Sequence, residues 1–198
     1  MNNNYTKNYD YDFFYFNYIK NNKIMEYILT ENNIKIIGIF HLFFAIFMSL
    51  YGILLKKSLF DYFYIFYTIL LLISWTMYNG ECLLTYYIKK HLNNNYICGQ
   101  DSTDLKDMYL LTGSKSLTYI FVCFTIFLNV LSDYIVLKRN NYPNYIYYGI
   151  PIAHLIYALM LRLFINNLHK NNLFLILQNI FKFYFIFMLI LLIILKLK

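Results

Sequence analysis

The sequence predicts an all-α, polytopic integral membrane protein, built as a bundle of about five transmembrane helices. Hydrophobic residues make up 60% of its 198 residues and charged residues only 14%, whereas about 25% of residues are charged in a typical soluble domain. Five apolar stretches are also long enough to cross a bilayer, because about 20 helical residues span a hydrocarbon core roughly 30 Å thick. They occupy residues 34–55, 60–79, 117–137, 145–165 and 173–195.

The net charge of +7 indicates contact with lipid head groups. Basic residues are spread through the predicted loops and chain ends and do not form one face, as Lys56–Lys57 and Lys138–Arg139 illustrate. Cations at the ends of membrane helices interact with anionic head groups. Membrane lipids are therefore the predicted partners, other membrane proteins are a second class of partner, and no nucleic-acid partner is predicted.

The chain divides into an N-terminal segment, residues 1–33, and a membrane domain, residues 34–198. The segment is rich in Asn at first and then aromatic at residues 13–16, with Lys, Asp and Glu interspersed. This composition is compatible with an amphipathic helix lying in the membrane interface and equally with disorder. Both interpretations stay open.

Span one carries a stripe of small residues at near-heptad spacing, and His41 falls on the same stripe. Small side chains let helix backbones approach closely in lipid. We therefore predict that this stripe faces the bundle and carries His41 inward. The small residues are Gly38, Ala45, Ser49 and Gly52.

The end of span two has two interpretations. Its helix stops at Asn79, or it continues through Gly80 toward Ile88 and moves Glu81 from the boundary into the interface. Glycine lowers the propensity for helix without forbidding it. The sequence leaves both open.

The loop at residues 89–116 carries three aspartates at every third position. We predict a short helix capped by one of these residues or a neighbouring hydroxyl residue, because carboxylates are favoured at the cap and in the first turn. Carboxylates also bind divalent metals, which makes the cluster a weak candidate for a metal site. No second acidic motif accompanies it. The three residues are Asp101, Asp104 and Asp107.

Span three contains polar residues whose spacing places most of them on one helical face. In hydrocarbon such a face packs against other helices or lines a wet cavity. We predict that it faces inward. The residues are Thr118, Thr125, Asn129, Ser132 and Asp133.

Spans four and five contain the remaining polar residues of the membrane domain. Pro151 either starts the helix of span four or kinks it, and His154 and Arg162 follow on the same helix. Span five contains Lys182, and its continuous apolar part comes only after this residue. The helix either spans residues 173–195 or begins later, with the lysine reaching toward the interface.

Five spans place the N terminus, the 89–116 loop and the loop between spans four and five on one side, called side A. Most ionisable residues of the spans then lie in the side A half, including His41, Glu81 and Arg162. Charges in a bilayer usually pair or line a wet cavity, so one prediction is a pocket open to side A in which Glu81 pairs with Arg162 or Lys182. The other, favoured by their boundary positions, is that each side chain reaches the interface alone. The distribution of Lys and Arg predicts a cytosolic N terminus.

Two kinds of chemistry are conceivable at these positions. Cys82 is a nucleophile only if a partner takes its proton, and His41 is that partner only if spans one and two touch. Paired histidines on different helices bind haem, but the depths of His41 and His154 differ by roughly 6 Å, which disfavours it. Cys82 and Cys98 form a disulfide if side A is luminal and stay reduced if it is cytosolic.

Three functional hypotheses follow. The first is a non-enzymatic membrane component that acts through association with proteins or lipids. The second is a small membrane-embedded enzyme acting on a lipid, with His41, Glu81 and Arg162 as candidate catalytic residues beside the loop aspartates. The third is a proton or ion conduit that uses Asp133, His154 and Glu81. No cofactor is predicted.

Overall fold

The computed structural model describes residues 30–101, 105–163 and 170–197, and these ranges contain α-helices and no strand. The predicted properties of residues 1–33 lie almost entirely outside the described residues. In chain order the helices are α1 (Glu31–Leu54), α2 (Phe60–Met77), α3 (Leu83–Leu92), α4 (Lys106–Thr112), α5 (Lys115–Arg139), α6 (Asn144–Tyr147), α7 (Gly149–Leu163) and α8 (Asn172–Leu197).

Five segments are long and apolar enough to cross a bilayer, judged by length and composition, which confirms the five predicted apolar helices. Their outer surface is strongly apolar, because Phe40, Phe63 and Phe183 are 69%, 67% and 71% exposed. Helices that are apolar on all sides differ from amphipathic surface helices, which have a polar face. The segments are Asn32–Leu54, Phe60–Met77, Lys115–Arg139, Asn144–Leu163 and Asn172–Lys196.

The chain turns sharply after α2, so the alternative in which this helix continues through Gly80 toward Ile88 is wrong. The helix ends at Met77, and Asn79 and Gly80 have positive φ angles of 48° and 82°. This left-handed conformation costs glycine little and is tolerated by asparagine. The turn separates α2 from α3 and makes Cys82 the N-cap of α3.

Helix α1 lies against α5 through the predicted stripe of small residues. Ser49 Oγ donates to the Thr125 carbonyl (3.1 Å), and the Gly52 amide donates to Ser132 Oγ (2.6 Å). A Cβ atom at Gly52 would lie 2.5 Å from the Ser132 carbonyl oxygen, so the approach depends on glycine. The same face of α1 carries His41 toward α4.

Three helices meet at the end of the bundle opposite side A, called side B, through Asp61 and Arg139. The guanidinium of Arg139 donates to both carboxylate oxygens of Asp61, with Nε–Oδ2 and Nη2–Oδ1 distances of 2.8 and 2.5 Å. Tyr51 of α1 and Asn140 also donate to this carboxylate. A bidentate pair of this kind is strong and geometrically specific. It joins the end of α1, the start of α2 and the end of α5.

Helix α4 begins after the apolar residue Leu105, so the prediction that an aspartate caps this helix is wrong. Asp107 does lie in its first turn, but its carboxylate is fully buried and bonded to α1. Asp104 lies outside the described residues. Asp107 therefore makes a tertiary contact with α1 instead of the local capping contact that the aspartate spacing predicted.

Candidate functional site

A histidine–aspartate pair joins α1 to α4 in the side A half of the protein. His41 Nδ1 lies 2.6 Å from Asp107 Oδ2, and Thr85 donates to the other carboxylate oxygen at 3.3 Å. One turn before His41, Gly38 lets α4 approach, because a Cβ atom there would lie 2.5 Å from the Asp107 carbonyl oxygen. The pair therefore depends on a glycine of α1 and on the packing of α4 against that helix.

The thiol of Cys82 faces the other ring nitrogen of the same histidine. Cys82 Sγ lies 3.8 Å from His41 Nε2. Cys82 is the N-cap of α3, so its side chain lies at the end of that helix where backbone amides have no intrahelical partner. A helix N terminus and an adjacent histidine are the two features that stabilise a cysteine thiolate in proteins.

The surroundings shift the pKa values of Cys82 and Asp107, the two side chains that contact the His41 ring. Burial tends to raise the pKa of the Cys82 thiol, but the hydrogen bond and charge of His41 outweigh it, and the pKa lies below its ordinary value. Burial likewise tends to raise the pKa of Asp107, and the His41 contacts bring it below the ordinary value. Both shifts favour the ionised forms of the thiol and of the carboxyl group.

We call Cys82, His41 and Asp107 the thiol cluster. Its order is that of a nucleophile, a base and a group that orients the base. When His41 Nδ1–H donates a hydrogen bond to the Asp107 carboxylate, the lone pair of Nε2 faces the Cys82 thiol. This lone pair can then accept the thiol proton. The arrangement is suited to nucleophilic attack by sulfur.

The thiol cluster lies next to exposed apolar surface. The His41 side chain is 19% exposed, and Cys82 is half-buried. Leu83 and Leu84, which follow the cysteine, are partly exposed, and Phe40 beside the histidine is largely exposed. An apolar reactant can therefore approach the sulfur along the protein surface.

Glu81 has different partners from those predicted. Lys89 Nζ lies 3.3 Å from Glu81 Oε1, and the Tyr96 hydroxyl donates to the same oxygen. Lys89 also donates to the Asp101 carbonyl, so the network attaches the loop to α3. Burial raises the pKa of Glu81, and the charge of Lys89 only partly opposes this.

The alternative in which Glu81 pairs with Arg162 or Lys182 is therefore wrong. The favoured alternative, in which Glu81 reaches the interface alone, is also wrong, because Glu81 is 1% exposed and bonded to Lys89. Arg162 lies over the ring of Tyr119, 3.1 Å from its centroid. Lys182 donates to Asn179 at 3.2 Å. Of the three candidate catalytic residues, the structure places His41 in the thiol cluster, Glu81 in the adjoining loop network and Arg162 on an aromatic ring.

Within the described ranges, the predicted metal and haem ligands also have other partners. No group of three or more His, Cys, Asp or Glu side chains within the described ranges could hold a metal ion. The Asp107 carboxylate is bound to His41, and Asp104 lies outside the described residues. His154 pairs with Asp133, not with a second histidine. The three cysteines are free thiols, and Cys98 donates to the Tyr78 carbonyl at 3.0 Å.

A second histidine–aspartate pair lies deeper, between α5 and α7. His154 Nδ1 lies 2.9 Å from Asp133 Oδ2, and Tyr64 donates to the other oxygen at 2.9 Å. The three side chains are 1%, 1% and 3% exposed, respectively. We call them the buried cluster.

No family model, curated protein or solved structure matches the chain. The functional argument therefore depends on the chemistry of the two clusters. The sequence had indicated His41, Cys82 and Glu81 as neighbours of side A, but it missed Asp107 as the partner of His41. Gly38 was the available signal, since a small residue one turn from His41 marks a place where another backbone approaches.

Proposed function

We propose that this chain is a multi-pass membrane protein that transfers acyl groups through a thioester on Cys82. The observation that carries the proposal is the contact of His41 with Asp107 through one ring nitrogen and with Cys82 through the other. This proposal develops the second hypothesis from the sequence, an enzyme acting on lipid. A protein that acts only by association has no need of a thiol, a base and a carboxylate in this order.

The membrane location rests on the five apolar helices and their exposed aromatic side chains. Lipid is the solvent in which such surfaces are stable. The distribution of Lys and Arg favours side A facing the cytosol, where thiols stay reduced. Cys82 would then lie near the cytosolic interface as a free nucleophile.

The first half of the reaction forms the thioester. Cys82 Sγ attacks the carbonyl carbon of the acyl donor while His41 Nε2 takes the thiol proton, and Asp107 stabilises the resulting imidazolium. The bond from the acyl carbon to the leaving oxygen or sulfur breaks, and the departing alcohol or thiol takes the proton from His41. The positive end of α3 stabilises the negative charge that develops beside Cys82.

The second half releases the acyl group. An acceptor alcohol, thiol or water gives its proton to His41 and attacks the thioester carbonyl. The acyl–sulfur bond breaks, and the Cys82 thiolate recovers the proton from the imidazolium. The apolar surface beside the cysteine favours a long-chain acyl ester or thioester of a lipid as the donor, because its chain can remain in the bilayer.

The test is acylation of the purified full chain in lipid nanodiscs. The chain is incubated with a palmitoyl thioester or, separately, with a phospholipid, and digested peptides are analysed by mass spectrometry before and after hydroxylamine. We expect a hydroxylamine-sensitive palmitoyl group on Cys82. Cys98 and Cys123 serve as internal controls within the same molecule.

Variants distinguish catalysis from incidental acylation. Cys82→Ala should abolish the adduct, and His41→Gln and Asp107→Asn should slow its formation while the protein remains folded. Equal acylation of all three cysteines, or a rate at Cys82 that is unchanged in His41→Gln, would refute the proposal. A thiol cluster that serves only to join α1 and α4 predicts that result.

A further inference from the structure

The two arginines of the chain have different partners. The guanidinium of Arg139 donates to both carboxylate oxygens of Asp61. Arg162 lies in the last turn of α7, inside the fourth apolar segment. It makes no hydrogen bond or ion pair with any residue in the described ranges. A cation at the edge of a bilayer is stable when an anion or a wet surface is within its reach.

The carboxylates of the helix bundle are bonded to other cations. Each of the four ion pairs among the described residues joins a carboxylate to a histidine, a lysine or the other arginine, and none is shared with Arg162. An anion for Arg162 can therefore come from the membrane. The four pairs are His41–Asp107, Lys89–Glu81, Arg139–Asp61 and His154–Asp133.

The contact that Arg162 does make fixes the position of its guanidinium. Its Cζ atom lies over the ring of Tyr119, 3.1 Å from the centroid. The face of an aromatic ring attracts a cation, and this contact uses none of the five N–H donors of the guanidinium. Tyr119 lies four residues into α5, about 6 Å from the start of that helix at side A. The donors are therefore held close to the side A interface.

The surroundings of this contact combine a second cation with apolar surface. Lys115 precedes Tyr119 by four residues on α5, a spacing that places two side chains on the same helical face, and it is exposed. Leu163 and Ile120, which follow Arg162 and Tyr119 in the chain, are 83% and 63% exposed. Positive charge at the interface thus adjoins a surface that hydrocarbon covers.

We propose that Arg162, held by Tyr119, binds the phosphate of an anionic phospholipid in the side A leaflet. A guanidinium binds phosphate through two parallel N–H···O bonds. The acyl chains of the same lipid cover Leu163 and Ile120. A second positive charge, on Lys115, favours an anionic head group over one that carries a cation of its own. This lipid is a bound partner of the helix bundle, and its binding does not depend on acyl transfer at Cys82.

The test is lipid binding by the purified full chain in mild detergent, measured by native mass spectrometry. Phosphatidylglycerol and phosphatidylcholine with identical acyl chains are titrated separately. We expect phosphatidylglycerol to bind about tenfold more tightly, the ratio that one charge-assisted hydrogen bond supplies. Arg162→Gln should bring the two affinities together. Equal affinities in the wild-type chain, or an undiminished preference in Arg162→Gln, would refute the proposal.

Lys182→Gln is the matched control for the loss of one charge. It removes a cation from another membrane helix in the side A half, and that lysine already donates to Asn179. We expect this variant to keep the wild-type preference for phosphatidylglycerol. A preference that falls equally in Lys182→Gln and Arg162→Gln would show attraction by total charge and would overturn the assignment to one site.

Two further variants test the geometry and keep the positive charge of the site. Arg162→Lys loses the planar donor set, and Tyr119→Leu loses the ring that holds it. Both should weaken the preference for phosphatidylglycerol, and wild-type binding in both would refute the proposed geometry. They decide the question even if Arg162→Gln does not fold.

Inorganic phosphate distinguishes a lipid from a soluble anion. Added in excess, it should leave phosphatidylglycerol bound, because the acyl chains also contribute to binding. Displacement by inorganic phosphate would assign the site to a soluble anion and overturn the lipid proposal. Acylation of Cys82 should proceed at the wild-type rate in Arg162→Gln, so the two proposals fail independently.

Discussion

The two histidine–aspartate pairs have nearly the same contact and very different surroundings. His41 is partly exposed and has a cysteine on its second ring nitrogen, whereas His154 is buried and its second nitrogen has no partner among the described residues. Asp107 comes from a short helix that folds back after a loop, while Asp133 comes from a long helix of the bundle. The chemistry that each cluster supports is therefore determined less by the histidine–aspartate pair than by two other features. These are the group beside the second ring nitrogen of the histidine and the access of reactants to it.

The largest expected difference between the clusters concerns the base at the thiol. His41→Gln should slow acylation of Cys82 by about 100-fold or more, the usual contribution of a general base. His154→Gln, the matched change in the buried cluster, should leave this rate within a small factor of wild type. The rate is measured by mass spectrometry of the Cys82 peptide in nanodiscs. Equal effects of the two substitutions would remove the functional distinction between the pairs.

A second contrast concerns stability. Asp133→Leu leaves both Tyr64 and His154 buried without their partner, and each unsatisfied group costs about 1–3 kcal/mol. Asp107→Leu also removes two hydrogen bonds, but His41 is within reach of solvent, so the loss should be smaller. Thermal unfolding in mild detergent is the measurement. A lower melting temperature for Asp107→Leu than for Asp133→Leu would contradict the assignment of the deeper site to the second pair.

Close packing of α1 gives a third contrast, between Gly38 and Gly52. A Cβ atom at either glycine would lie 2.5 Å from a backbone oxygen, of Asp107 in one case and Ser132 in the other. Overpacking of this kind costs about 1–3 kcal/mol, so both Gly38→Ala and Gly52→Ala should lower the melting temperature. Only Gly38→Ala should also slow acylation of Cys82, because it displaces α4. Slower acylation in Gly52→Ala would show that the effect is general destabilisation.

Local features of the sequence predicted the long helices and the inward stripe of α1. Continuous apolar length and the spacing of Gly38, Ser49 and Gly52 are properties of one segment, and they need no knowledge of its neighbours. The His41–Asp107 contact joins residues 66 positions apart. It depends on how the loop returns, which no local spacing encodes.

Two further misses have the same origin. The sequence left two alternatives for Glu81, pairing with cations on other spans or reaching the interface alone. Neither included Lys89, because no local spacing predicts that the turn at Gly80 brings Lys89 back to Glu81. Asp133 and His154 were both singled out, but the contact between them joins two helices, and spacing within one helix does not predict it.

The smallest expected effect concerns the acidity of the thiol and separates Cys82 from Cys98. Because the pKa of Cys82 lies below its ordinary value, a larger share of this thiol is ionised at pH 7 than the about 3% of an ordinary thiol of pKa about 8.5. The thiolate of a more acidic thiol is also less nucleophilic, which partly offsets the increase in labelling rate. We therefore expect iodoacetamide to label Cys82 faster than an ordinary thiol at pH 7, with the rate falling as pH drops through the lowered pKa.

Cys98 supplies the internal comparison for this prediction. Burial, followed by the charge of Glu81, raises the pKa of Cys98 to about 12, so it should remain a thiol and label slowly up to pH 9. His41→Gln should return Cys82 toward the same behaviour, because the burial that raises its pKa persists while the contact that lowers it is lost. A Cys82 rate that is unchanged by His41→Gln, or that rises with pH in parallel with Cys98, would show that the imidazole does not activate this thiol.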